Sequence, residues 1–115
     1  MIQRGEIYYA DLGTTTGSEQ GGLRPVLILQ NNVGNRYSPT TIVATITSRT
    51  KKGNMPTHIT LHKSNTNGLK CDSMVALEQI RTIDKQRLKD KIGIVSETES
   101  LQIQNALKIS LAMMA

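Results

Sequence analysis

The side chains in this 115-residue chain that ordinarily bind metal or attack a substrate are few: His58, His62, the single Cys71 and nine carboxylates. His58 and His62 lie four apart in a stretch that alternates like a strand. That spacing separates them by roughly 13 Å, too far to chelate one ion together. No Asp-x-Asp or Glu-x-x-His pattern accompanies them, so no metal site and no cofactor is expected. Cys71 sits between Lys70 and Asp72 with no histidine near it in sequence, which makes a poor case for an activated nucleophile. The glycine-rich segment Gly13 to Gly22 (GTTTGSEQGG) lacks the Gly-Lys-Ser/Thr ending of a phosphate loop, and no helical pattern follows it.

What remains is Arg, Thr, Ser, Gln and Asn at strand ends and in loops, groups that bind phosphates and base edges. They also suit one reaction that needs neither metal nor protein nucleophile. RNA carries its own nucleophile, the 2′-OH, beside the scissile phosphorus. The protein must then orient that hydroxyl, offset charge on the phosphorane and protonate the leaving oxygen. An arginine meets the second demand through charge-assisted bonds. Composition alone leaves a non-catalytic nucleic-acid binder equally open.

Charge distribution bears on the partner. Net charge is +5, and between Glu19 and Asp72 there is no acidic residue, while Arg24, Arg36, Arg49, Lys51, Lys52, Lys63 and Lys70 fall there. Such a segment gives a surface of one sign that attracts a polyanion, though charge alone leaves plain solubility open too. Phe and Trp are absent and Tyr occurs three times, which disfavours reading bases on a sheet of stacked aromatics. No apolar run approaches the roughly 18 residues that span a bilayer, and Met1 to Leu12 has no apolar signal core. With one cysteine, the expectation is a cytoplasmic domain over residues 1–115 without a disulfide or a membrane partner.

These groups must be positioned by short elements. Glu6 to Leu12, Arg24 to Gln30, Thr40 to Thr47, Thr57 to His62 and Asp72 to Ile80 read as strands, and Pro25 fits the start of its run. Asn31 to Pro39 and Ser64 to Lys70 read as turns, and Ser48 to Pro56 as a basic loop. Asp84 caps a short helical turn from Lys85 to Leu88, and Lys91 to Val95 adds a short strand. Ser96 to Glu99 forms a capping box that opens a helix of about fifteen residues or more. On it Ile103, Leu107, Leu111 and Met114 share one face; Leu107, Leu111 and Met114 are expected in the core, and in a dimer part of that stripe packs across the two-fold axis. The fold class is α+β, a small antiparallel barrel or strongly bent sheet with a C-terminal helix.

The sequence resembles the MazF/PemK toxins, the ribonuclease halves of type II toxin–antitoxin pairs. The resemblance lies in Arg4 to Leu12, Gly17 to Val26 with its Gly-Gly-Leu-Arg-Pro element, Ile28 to Asn32, Tyr37 to Thr40, Ile42 to Thr47, Pro56 to His58, Leu77 to Leu88 with its Glu-Gln-Ile-Arg element, and Ala106 to Leu111. It implies an SH3-like, CcdB/PemK-like fold working as a homodimer. It implies metal-independent, sequence-specific cleavage of single-stranded RNA by 2′-OH attack. The implied partner is a MazE-type antitoxin whose disordered, acidic C-terminal segment covers the RNA groove. Arg24 matches the family's catalytic arginine and Thr47 its catalytic threonine; an unactivated hydroxyl is a poor base near neutral pH, so Thr47 is assigned hydrogen bonding to the phosphate or the 2′-OH. Ser18, Glu19 and Gln20 on the long loop, and Asn31, Asn32, Ser48, Thr57, His58, Gln79 and Arg81 at turns and strand ends, are the RNA-binding candidates. A relative that binds RNA or a partner without cutting is the alternative. A gyrase-directed CcdB-like toxin is the weaker one, because this chain has no Trp and ends in Leu-Ala-Met-Met-Ala.

Overall fold

The computed structural model describes residues 1–48 and 55–113, so Arg49, Lys51, Lys52 and Met114 lie outside the described residues. The elements are β1 (Glu6–Asp11), β2 (Leu23–Ile28), α1 (Asn32–Tyr37), β3 (Thr40–Thr47), β4 (His58–Leu61), β5 (Ser73–Asp84), a 3₁₀ turn (Lys85–Arg87), β6 (Leu88–Ile94) and α2 (Glu97–Ser110). The six strands make one antiparallel sheet in the order β4-β5-β3-β2-β1-β6. The apolar runs of β2 and β3 occupy its middle. They are buried on both faces: Leu27, Ala44 and Ile46 join one core cluster, and Val26, Ile28 and Val43 join the other. Continuous rather than alternating apolar patterns follow from that double burial.

Of the two expected forms, barrel or bent sheet, the sheet takes the open one. Its edges β4 and β6 do not pair. The loop after β4 bridges them instead, where Ile94 N–H donates to Thr66 C=O at 3.1 Å. The approach is close enough to specify glycine. Gly68 has φ +69°, and a Cβ there would lie 1.8 Å from the Ile92 carbonyl oxygen; a Cβ on Gly93 would lie 2.3 Å from the Asn67 carbonyl carbon. Asn67, buried, fixes the same loop: its Oδ1 accepts Ser64 N–H and Leu69 N–H, and its Nδ2 donates to His62 C=O. Across the other edge, Glu6 is nearly buried and takes Lys91 Nζ at 2.7 Å, Gln3 N–H and the Tyr8 hydroxyl. Burial, followed by the Glu6 charge, pushes the Tyr8 hydroxyl up to about 12.

Four expectations are corrected. Residues 31–39 are not merely a turn. Asn31 caps α1 by accepting Gly34 N–H at 2.8 Å, and fully buried Asn35 ties the helix down by accepting from Gln30 Nε2 and Thr41 Oγ1 and donating to Gln30 C=O. The residue types that favour turns also cap helices. β5 runs four residues past Ile80, and β6 starts at Leu88 and ends at Ile94, because β3 and β1 supply partners that local pattern does not reveal. The 3₁₀ turn is capped by Asp84 and the Ser96–Glu99 capping box opens α2, as expected. On α2, however, Ile103 and Ala106 are buried and Leu107 is half-buried, whereas Leu111 is 54% exposed. The helix ends at Ser110, so Leu111 is its C-cap rather than a core residue.

Gly68→Ala combines the steric conflict at Ile92 with a strained left-handed backbone. It is expected to cost about 3 kcal/mol or more of unfolding free energy, read from urea denaturation at neutral pH.

Candidate functional site

Pro25 has no N–H, and the β2–β3 ladder stops beside it: the pairs run Ile28↔Val43, Leu27↔Ala44 and Val26↔Thr45. Continuing that register by two residues sets Arg24 opposite Thr47, at the point where the strands separate. An open cleft of about 320 Å³ occupies this point, lined by Arg24, Pro25, Ile46, Thr47 and Ser48 from the two strand ends. Tyr9, Leu23, Leu69, Lys70, Cys71 and Ser73 complete its walls. Arg24 is half-buried, and its Nε donates to Gly21 C=O at 2.9 Å. That carbonyl is fixed by the neck of the long loop, where Gly22 N–H donates to Gly13 C=O and Leu12 N–H to Gly22 C=O, both at 2.9 Å. A Cβ on Gly21 would lie 2.7 Å from the Gly13 oxygen, so the neck needs glycine there. The cleft lining carries two cations, Arg24 and Lys70, together with hydroxyls from Thr47, Ser48 and Ser73, and no carboxylate among the described residues.

A second cleft, of about 410 Å³, has a different character. Thr14, Thr15, Glu19 and Gln20 line it from the long loop, and Glu78, Gln79, Ile80 and Arg81 from β5. It owes its shape to an irregularity in β5. Thr45 pairs with Ala76 but Ala44 pairs with Ile80, leaving Leu77, Glu78 and Gln79 without β3 partners. Such a bulge re-aims side chains. Leu77 turns into the core and gives its N–H to Thr57 C=O, while Glu78 and Gln79 line the cleft. Gln79 crosses to the long loop, accepting Gln20 N–H at 3.4 Å and donating to Ser18 C=O at 3.3 Å. The Gln20 side chain in turn accepts from Thr45 Oγ1, on the same face of β3 as Thr47. Glu19 folds its own loop, its carboxylate accepting Thr16 N–H at 2.9 Å.

Glu78, which sequence reasoning did not single out, is the hub of this wall. It accepts Thr57 Oγ1 at 2.9 Å and faces His58 Nε2 at 2.7 Å. Partial burial raises its pKa, but the bonds from His58, its own backbone N–H and Thr57 outweigh that and hold it below the ordinary value. His58 Nδ1 is buried without a partner. A neutral ring with its proton on Nε2 leaves only a lone pair there, which costs less than an orphaned N–H. His62 faces a different carboxylate, Asp72, at 3.3 Å. The Lys63 N–H, then His62, lowers the Asp72 pKa. Among the described residues no three His, Cys, Asp or Glu side chains are grouped to hold a metal.

The structure thus gathers Arg24, Thr47 and Ser48 in one cleft, and Glu19, Gln20, Gln79 and Arg81 in the other. Ser18, Thr57 and His58 support the second cleft through Gln79 and Glu78. Asn31 and Asn32 reach neither; Asn31 caps α1, and Asn32 Oδ1 accepts Arg4 N–H at 2.7 Å. Lys70 and Tyr9 were also missed by sequence reasoning, because only the fold brings them beside Arg24. Chemically, a cationic cleft without carboxylates suits a phosphate, and one of mixed amides, carboxylates and a guanidinium suits base edges.

A family model described as PemK-like, MazF-like toxin of type II toxin–antitoxin system matches residues 3–111. A curated relative, endoribonuclease MazF of Staphylococcus epidermidis, is 52% identical over 113 residues, spanning 98% of this chain and 93% of the relative. Among solved structures, an endoribonuclease in complex with its cognate antitoxin, from mycobacterial species, is similar with TM-score 0.82 and 27% identity over 100% of this chain and 99% of the other. MazF from Deinococcus radiodurans is similar in fold, with TM-score 0.82 and 21% identity over 97% of each chain.

The depressed pKa of Glu78 has a definite sign. Its bonds add stability fully present above its ordinary value of 4.5, and that stability is lost as pH falls through the lower folded value. Glu78→Gln is therefore expected to cost about 1 kcal/mol at pH 7. The difference from wild type should shrink below pH about 4.5 in urea titrations run at both ends of that range.

Proposed function

The chain belongs to the PemK-like, MazF-like toxins of type II toxin–antitoxin systems, and we propose that it cuts single-stranded RNA across the two clefts. The observation that carries this reading is the placement of Arg24 and Thr47 opposite each other in a cleft whose lining bears positive charge only. In the mechanism we infer, the scissile phosphate rests against the Arg24 guanidinium. Arg24 is held by Gly21 C=O through Nε, so its two Nη groups are oriented toward the non-bridging oxygens. The 2′-OH of the adjoining ribose attacks phosphorus and gives its proton to water, negative charge builds on the phosphorane, and the P–O5′ bond breaks as the leaving 5′-oxygen takes a proton from solvent. A fixed guanidinium stabilises that charge more than the ground state, which is how it lowers the barrier. Thr47 hydrogen-bonds the phosphate or the attacking hydroxyl, and Ser48 adds a donor beside it. The products are a 2′,3′-cyclic phosphate and a 5′-hydroxyl. Metal independence is supported by the substrate's own nucleophile and by the lack of a grouped ligand set among the described residues.

Base preference would arise in the second cleft, where Glu19, Gln20, Gln79 and Arg81 present donors and acceptors that Ser18, Thr57 and His58 hold in place. Asn31 and Asn32 keep a structural task and would touch RNA only if the strand extends to α1. The proposed partner is an antitoxin with an acidic, disordered segment that competes for the cationic cleft, as a complex is known for the mycobacterial relative. Residues 1–115 would form one toxin domain acting as a cytoplasmic homodimer, with exposed Leu101, Ile109, Leu111 and Met113 on or after α2 available to a second copy. No helix among the described residues is long and apolar enough to cross a membrane.

Purified protein in excess EDTA is expected to cut a long single-stranded RNA at discrete positions, mapped by primer extension. Arg24→Ala should lower kcat by roughly 10³-fold and Thr47→Ala by roughly 10²-fold, with the fold retained by circular dichroism. Mass spectrometry of the fragments should find the cyclic phosphate. Intact RNA with wild-type protein, or cutting that EDTA abolishes, would overturn the respective claim.

A further inference from the structure

The cleft that holds Arg24 contains a second cation whose task the mechanism above does not use. Lys70 is exposed and lines this cleft, and no carboxylate lies within ion-pair distance of it among the described residues. Its neighbour Asp72 does not neutralise it: one carboxylate oxygen accepts Lys63 N–H at 2.9 Å and the other faces His62. The backbone on either side of Lys70 is anchored. Leu69 is buried in the core, with its N–H on Asn67 Oδ1 at 3.0 Å, and buried Ser73 donates to Cys71 C=O at 2.8 Å. The ammonium therefore moves on its own flexible stem from a fixed base, which limits the ordering cost of binding.

We propose that Lys70 is a substrate-contacting residue that holds a phosphate adjacent to the one being cut. This rests on reading the cleft as the place where RNA is cleaved. Arg24, half-buried and clamped by Gly21, is built to meet one phosphate in one geometry. A strand lying across the cleft brings a further charge at each nucleotide, and Arg24 is occupied by the first. An exposed, unpaired ammonium is a point charge suited to a non-bridging oxygen at a variable angle. Its contact is made equally in the ground state and the transition state, so it acts on binding rather than on the chemical step.

The test is steady-state cleavage of a short single-stranded RNA containing one mapped cut site, at several salt concentrations. Wild type is compared with Lys70→Ala, Lys70→Gln and Lys70→Arg, and with Lys89→Ala as a charge-matched control from β6. Removing the charge at residue 70 is expected to raise KM roughly three- to tenfold and leave kcat within about twofold. The slope of log kcat/KM against log salt should become shallower by about 0.7, the value for one phosphate contact on a single strand. Lys70→Arg should restore both, Lys89→Ala should change neither, and the cut position should stay the same. An unchanged slope with Lys70→Ala, a loss confined to kcat, or an equal effect from Lys89→Ala would overturn the role of Lys70 while leaving the cleavage site standing. Failure of wild type to cut while the fold is intact would overturn the cleavage site and Lys70 with it.

Discussion

β2 lies inside the sheet, between β1 and β3, and one of its six residues has no N–H to give. A proline inside a sheet is ordinarily a defect confined to edges and strand starts. Here Pro25 stands two residues from the start of β2, with Tyr9 across from it on β1, and on the β3 side the ladder ends there. Beyond that point no β2–β3 pairs follow, and Arg24 and Thr47 line the cleft that opens there. The rest of the cleft forms around that point. The glycine neck of the long loop holds Arg24 from behind, and the Asn67-pinned loop closes the far wall. A fully paired sheet of the same strands would have no such opening.

The sequence made some of this plain and hid the rest for physical reasons. The apolar runs of β2 and β3 and the Asp84 and Ser96 caps are local signals, and the structure carries them as expected; of the α2 face it buries Ile103 and half-buries Leu107 but leaves Leu111 exposed. The α1 helix was hidden because Asn31 and Asn35 serve caps and turns alike, and only burial of Asn35 against Gln30 and Thr41 decides between them. The β5 bulge was hidden because a bulge is a mismatch between two strands, and neither strand alone encodes it. Glu78 shows the consequence. As a sequence symbol it is an acid in a strand; its place as the hub for Thr57 and His58 depends on β4 lying next to β5. Arg24 and Thr47 were nominated by resemblance, and the register, continued by two residues, explains why those two positions, 23 residues apart in sequence, line the same cleft.

The two clefts divide the electrostatics between them. One lining has two cations and no acid; the other has Glu19 and Glu78 against Arg81. Both acids are engaged within the protein, Glu19 with its own loop and Glu78 with Thr57 and His58. Both carboxylates thus hold walls in place through their hydrogen bonds. The same economy governs the loops: the polar segment after β1 is fixed at its neck by Gly13 and Gly22 and at its far end by Gln79, so its length does not translate into looseness.

The β5 bulge also separates two constraints within one small molecule. Its three residues answer to no register on β3; Leu77 belongs to the core, but exchanging Gln79 beside it leaves the pairing of Thr47 with Met74 and of Thr41 with Ile83 where it is. On the proposed reading, the residues that would meet a base could then change while those that would meet the scissile phosphate stay put. Target choice and chemistry would then be set by different stretches of chain, so a change in one need not disturb the other.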